Sequence, residues 1–127
     1  MSLASLSPFA VIEEEFHGFG RPPNAWKVPG AAISPDLPAG PLSPGELRQA
    51  LLCPSTSYEA QDAAVGWLVH QAQVDGGRWI VVTVGMLLPG LRSRTACLVR
   101  WCPARAVEMQ AEVVAAVVEA VLSLPPD

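Results

Sequence analysis

Histidine and cysteine are the side chains of this sequence best suited to nucleophilic catalysis or metal binding. The two histidines, His17 and His70, lie far apart, and neither has a neighbouring serine or cysteine in the pattern of an activated nucleophile. Cys97 and Cys102 could form half of a zinc site with them. Zinc sites usually contain a C-x-x-C or H-x-x-x-H pair, however, and neither occurs here. We therefore interpret these two cysteines and Cys53 as reduced, partly buried thiols.

Carboxylates and glycines also lack the spacing of a catalytic site. Carboxylate pairs occur only at helical spacing, and the run of glutamates at residues 13–15 is typical of a solvated surface. Gly76 and Gly77 follow a predicted helix and lack the other glycines of a nucleotide-binding loop. No G-x-S-x-G nucleophile elbow occurs. We expect no catalytic residue, no metal and no cofactor, and hence no enzyme.

The charges are divided between two neighbouring segments. The 8 basic and 12 acidic residues give a net charge of -4, which disfavours a general nucleic-acid binder. Residues 78–105 nevertheless contain five arginines and no acid, whereas residues 106–127 contain four acids and no base. The alternative of a nucleic-acid or phosphate contact would use these arginines, and such binding should weaken with salt. They are Arg78, Arg92, Arg94, Arg100 and Arg105.

Bulk composition indicates one folded domain in the cytoplasm. Half of the 127 residues are hydrophobic and the mean hydropathy is +0.31, which is unlike a disordered chain. The longest apolar run, residues 79–88, is about half of what a membrane-spanning helix needs. Residues 1–3 lack the charged start and apolar stretch of a signal peptide. We expect no membrane partner.

Residues 1–54 hold nine of the thirteen prolines and are predicted to form an irregular, proline-rich arm. The arm is either disordered or wraps over the domain. Partial wrapping is favoured, because exposed aromatic side chains such as Phe16 and Trp26 are costly. Ser43, Pro44 and Glu46 match a capped helix start, which predicts a short helix near 44–53.

Residues 55–127 are predicted to form the helical domain. Capping residues at 56–59 and apolar residues at helical spacing predict a helix from about Ser57 to Val74, with His70 on its solvent side. Residues 78–88 have strong local strand propensity. A helix would instead place Arg78, Gly85, Arg92 and Arg100 on one exposed face. Because an isolated strand is not stable, we predict a helix.

The last predicted element is a valine-rich helix over residues 106–124. Glu108, Glu112 and Glu119 fall within about 40° of each other on a helical wheel, and the remaining circumference is apolar. So narrow a polar stripe predicts a helix buried by its own domain or by a partner. The predicted fold is all-α, a bundle of about three to four helices with the N-terminal arm. The alternative is an α+β fold with a strand at 78–88.

The order of these elements resembles region 2 of bacterial RNA polymerase sigma factors, particularly the extracytoplasmic-function type, over residues 67–124. The family's L-V-x-x-A-Q-x-G-D run is similar to LVHQAQVDG at residues 68–76. Its apolar helix leading to proline, leucines and arginines is similar to MLLPGLR at 86–92. Cys102-Pro103 matches the short break. The acidic E-D-x-x-Q-E-x-F helix is similar to EMQAEVV at 108–114.

The resemblance implies a sigma-like helical scaffold that is transcription-associated and non-catalytic. The basic, aromatic-rich segment that melts promoter DNA in sigma factors, and their helix-turn-helix domain, have no counterpart in these residues. In that family the acidic helix docks on the clamp helices of RNA polymerase. The implied contacts to the polymerase core or to a regulatory protein are Glu108, Gln110 and Glu112, with Glu119 on the same stripe. The alternative is a structural or adaptor domain that homodimerises through the valine-rich helix.

Overall fold

A computed structural model describes residues 7–21 and 26–125 of the chain. The all-α class is confirmed, with six α-helices and a small two-stranded antiparallel sheet among the described residues. The elements are α1 (Pro8–Gly18), β1 (Val28–Pro29), α2 (Gly30–Ile33), β2 (Pro41–Leu42), α3 (Pro44–Leu52), α4 (Tyr58–Asp75), α5 (Arg78–Trp101), a 3-10 turn (Pro103–Arg105) and α6 (Ala106–Ser123). No helix in the described part of the chain has both the length and the apolar character to cross a bilayer.

Serine side chains cap the N-termini of α3 and α4. Ser43 and Glu46 form a reciprocal capping box at the start of α3, with N···O distances of 3.0 and 3.1 Å. At α4 the cap is Ser57, whose hydroxyl accepts a hydrogen bond from the backbone N–H of Ala60 at 3.1 Å. The preceding Thr56 instead donates its hydroxyl to the Ala50 carbonyl, which ties the end of α3 to the start of α4.

Residues 79–84, the stretch with strand propensity, are helical, so the alternative of a strand at 78–88 is wrong. Tertiary burial overrides the local preference. Val82, Thr83 and Val84 are at most 1% exposed, on a helix that packs against α1, α3, α4 and α6. The buried Thr83 hydroxyl is satisfied within the helix, because it donates to the Trp79 carbonyl at 2.8 Å.

The predicted exposed face containing Gly85 is also wrong, because α1 covers the middle of α5. Gly85 is buried under Phe16, and a Cβ atom at Gly85 would lie 2.9 Å from Phe16 Cβ. Only a glycine lets the two helices approach this closely. Arg78, Arg92 and Arg100 remain exposed on either side of this contact.

One backbone carbonyl of α5 accepts a hydrogen bond from a side chain of α3 instead of from its own helix. Pro89 has no backbone N–H, so the carbonyl of Gly85, four residues earlier, receives no helical hydrogen bond. Arg48 of α3 donates Nη1 to this carbonyl at 3.0 Å. The same guanidinium lies 4.4 Å from the centre of the Phe16 ring. Arg48 therefore joins α3, α1 and α5 at one point.

The proline-rich segment contributes to the same core as α4 and α5. Val28 of β1 pairs with Leu42 of β2 in the antiparallel sheet, and both are buried. Trp26 lies 4.6 Å from Trp79 of α5, measured between ring centres. The buried core residues from both parts are Phe16, Val28, Leu37, Leu42, Leu47, Ala60, Ala64, Leu68, Val82 and Met86. Of the predicted arm, residues 1–6 and 22–25 lie outside the described residues.

Candidate functional site

Helix α6 is covered on one side only. It packs against α1, α4 and α5, and Val121 is its single fully buried residue. The opposite side is exposed, and we call it the outward face of α6. This face comprises Glu108, Glu112, Ala115, Glu119 and Leu122. Since the domain itself covers only half of the helix, the outward face is available to a partner.

The outward face is acidic along its length. Its three carboxylates span 11 residues, which is about 17 Å of helix. Glu108 forms an exposed ion pair with Arg105 at 3.4 Å, and such pairs contribute less than about 1 kcal/mol. Among the residues described, no cation lies within 4.0 Å of Glu112 or Glu119. The face would therefore attract a basic surface.

Gln110, the fourth predicted contact, points away from the other three. Its side-chain carbonyl accepts hydrogen bonds from the Ser7 hydroxyl and from the backbone N–H of Phe9. This position is about 200° around the helix from Glu108. Gln110 fastens the start of α1 to α6, and the outward face consists of the glutamates without it.

The five arginines are exposed but do not form one patch. Arg78 and Arg100, near opposite ends of α5, are 22 residues or about 33 Å apart along the helix. Arg94 projects about 200° around the helix from Arg92. Arg105 is engaged with Glu108. The positive charges are therefore distributed around the molecule, in contrast to the aligned carboxylates of α6.

The best-defined polar cluster was not predicted from the sequence. Glu13 and Arg48 form a two-pronged ion pair, with N···O distances of 2.9 and 2.6 Å. His17 Nε2 lies 2.6 Å from the same carboxylate. The pair is half-buried, so the interpretation of Glu13 as part of a solvated run is wrong, although Glu14 and Glu15 are exposed.

The hydrogen bond from Arg48 holds the pKa of Glu13 below its ordinary value of 4.5. The carboxylate is thus ionised and paired with Arg48. Its low affinity for a proton does not suit a general base. A shallow groove of about 380 Å³ opens beside it, between His17, Leu52 and Pro89. Both terminal nitrogens of Arg48 are engaged within the protein. The cluster is a structural junction between helices.

The three cysteines are exposed, which contradicts the prediction of partly buried thiols. A hydrogen bond with the Ser55 hydroxyl lowers the pKa of the Cys53 thiol. Within residues 7–21 and 26–125, no three His, Cys, Asp or Glu side chains are grouped to hold a metal ion. The described structure does not bring Cys97 and Cys102 together with the two histidines in such a group.

Comparison with models of protein families, with curated proteins and with solved structures gives no match. The outward face of α6 carries the glutamate stripe that the sequence predicted, and these glutamates are exposed in the structure.

Proposed function

We propose that this chain is a non-catalytic, sigma-like helical module of the bacterial cytoplasm that docks on the RNA polymerase core through the outward face of α6. One observation carries the proposal. Glu108, Glu112 and Glu119 are aligned and exposed on the side of α6 that its own domain leaves uncovered.

The order of the helices supports the sigma-like resemblance. In that family an amphipathic helix is followed by an apolar helix with a proline, a short break and an acidic helix. Here α4 is followed by α5, which contains Pro89, then by the 3-10 turn and then by α6. A strand at 78–88 would have removed this support.

The outward face has the chemistry of a docking surface for a basic helix. Its carboxylates can pair with lysine or arginine side chains, which steers association and fixes orientation. Ala115 between them is small enough for a close approach. Leu122, 49% exposed, supplies apolar area at one end. A basic regulatory protein would satisfy the same surface, whereas nucleic acid would be repelled by it.

A retention assay on immobilised RNA polymerase core tests the proposal. The variant Glu108→Lys with Glu112→Lys reverses two charges on the outward face and should weaken retention at least about tenfold, or ~1.4 kcal/mol. The matched control, Glu14→Lys with Glu15→Lys, makes the same change in net charge on exposed positions of α1. It should leave retention unchanged.

Two results would contradict the proposal. One is a wild-type chain that the polymerase core does not retain. The other is an equal loss of retention in both charge-reversed variants, which would mean that only the overall charge matters.

A further inference from the structure

A second concave surface runs along α4. This α4 groove has a volume of about 720 Å³ and is lined along its length by Val65, Gly66, Val69 and His70. Leu124 and Pro125, just beyond α6, close one side of it. Asp62 and Gln73 mark its two ends, 11 residues or about 17 Å apart along the helix.

The floor of the α4 groove is apolar and open. Val65 and Val69 are half-buried, and Leu124 is 49% exposed. A Cβ atom at Gly66 would meet no atom within 4 Å, so the glycine is not required by packing inside the domain. The open space above it is wide enough for a side chain from outside.

The end of the groove near Gln73 is electronegative. There the C-terminal end of α6 meets α4, and the Gln73 side chain donates to the carbonyls of Val121 and Leu124 at 2.8 Å each. Neither helix has a basic residue in its last turn, and α4 ends on Asp75. Helix C-termini carry partial negative charge, so both ends favour a cation.

We infer that the α4 groove binds a basic, apolar helix of the docking partner, with a lysine or arginine stem lying on Val65 and Val69. The charged head then reaches the negative end near Gln73 or the carboxylate of Asp62. This inference rests on the proposed function. It adds a second contact surface for the same partner, beyond the C-terminal end of α6, where Leu124 lines the groove.

A nuclear magnetic resonance titration tests the groove without the polymerase. The probe is a synthetic helical peptide of leucine and lysine, and a leucine and glutamate peptide of equal length is its control. The lysine peptide should shift the amide signals of Val65, Gly66 and Val69, with an affinity that falls as salt is raised. The glutamate peptide should not shift them.

A matched pair of glycine variants provides a second test of the groove. Gly66→Leu fills the groove with the fold left intact and should weaken binding of the lysine peptide at least tenfold. Gly90→Leu makes the same change at another exposed helical glycine with no atom nearby, and should bind like wild type.

Lysine-peptide shifts confined to the outward face, an absence of shifts, or equal binding by both variants would overturn the inference. None of these three results would contradict the docking proposal, which the polymerase retention assay tests separately. Loss of polymerase retention in Gly66→Leu but not in Gly90→Leu would support the groove and the docking proposal together.

Discussion

The ion pair of Glu13 and Arg48 is farther removed from solvent than the ion pair of Glu108 and Arg105. Their side chains are 25% and 15% exposed, against 68% and 66% for Glu108 and Arg105. A partly buried, two-pronged pair is stronger than an exposed single contact, and removing one partner leaves a partly buried charge without its counter-ion. This carboxylate should therefore influence the free energy of unfolding measurably, and Glu108 should not.

The lowered pKa of Glu13 gives its contribution a definite pH dependence. Because the pKa is depressed in the folded state, this contribution is fully present above the ordinary value of 4.5 and is lost as the pH falls through the folded value. We expect Glu13→Gln to lower the free energy of unfolding at pH 7. The difference from wild type should shrink steadily below about pH 4.5. Urea unfolding at a series of pH values measures it.

Glu15→Gln is the matched control for this experiment, since Glu15 is exposed on the same helix. It should follow the wild-type curve at each pH. A Glu13→Gln deficit that stayed constant from pH 7 to pH 3 would show that the carboxylate charge contributes nothing.

The helical hydrogen bond that Pro89 removes from α5 is replaced by one from the half-buried Arg48 of α3. Arg48→Ala leaves the buried Gly85 carbonyl without a donor, at a cost of about 1–3 kcal/mol. Pro89→Ala restores an N–H at the position that normally serves this carbonyl. We expect Arg48→Ala to destabilise the Pro89→Ala protein less than the wild type, by about 1 kcal/mol in a double-mutant cycle.

Denaturant unfolding of the four proteins measures this coupling energy. The control cycle combines Arg105→Ala with Pro89→Ala, because Arg105 is bonded to Glu108 and not to α5. That cycle should be additive within about 0.5 kcal/mol. Additivity in the Arg48 cycle as well would show that the proline gap and the arginine are unrelated.

Local sequence patterns predicted those helices whose signals lie within a few residues. The capping box of α3, the apolar spacing of α4 and the carboxylate stripe of α6 are all of this kind. The helical state of α5 was predicted by the absence of a partner strand, against the local propensity. The N-cap of α4 is Ser57 rather than Thr56, because the Thr56 hydroxyl donates to the Ala50 carbonyl, a contact that no local pattern contains.

Contacts between distant residues could not be predicted in the same way. Glu13 and Arg48 are separated by 35 residues, and neither has a local pattern that indicates a partner. Gln110 was predicted as an outward contact from its place in a motif, although its angle on the helix differs from that of the glutamates. For the position of Arg48, the one available sequence signal was the proline inside α5. A proline within a helix leaves one carbonyl without its helical hydrogen bond, and this carbonyl needs a donor from elsewhere.

At the scale of the whole molecule, the outward face of α6 could also be the interface of a homodimer. An antiparallel pair of α6 helices centred between Ala115 and Ala116 places Glu112 of one copy opposite Glu119 of the other. A parallel pair places each glutamate opposite itself. Like charges in direct opposition are destabilising in both arrangements. The same carboxylates that favour a basic partner therefore disfavour a second copy.

We accordingly expect the 13.4 kDa chain to sediment as a monomer at low salt and neutral pH. Glu112→Gln with Glu119→Gln removes the opposing charges and keeps the side-chain size, so it should increase self-association. The control Glu14→Gln with Glu15→Gln should remain monomeric, because it changes the net charge equally on α1. Sedimentation equilibrium at several concentrations measures all three proteins. A wild-type dimer would contradict this expectation. If the α6 substitutions changed its affinity, it would favour the structural or adaptor alternative, because the interface would then include the valine-rich helix.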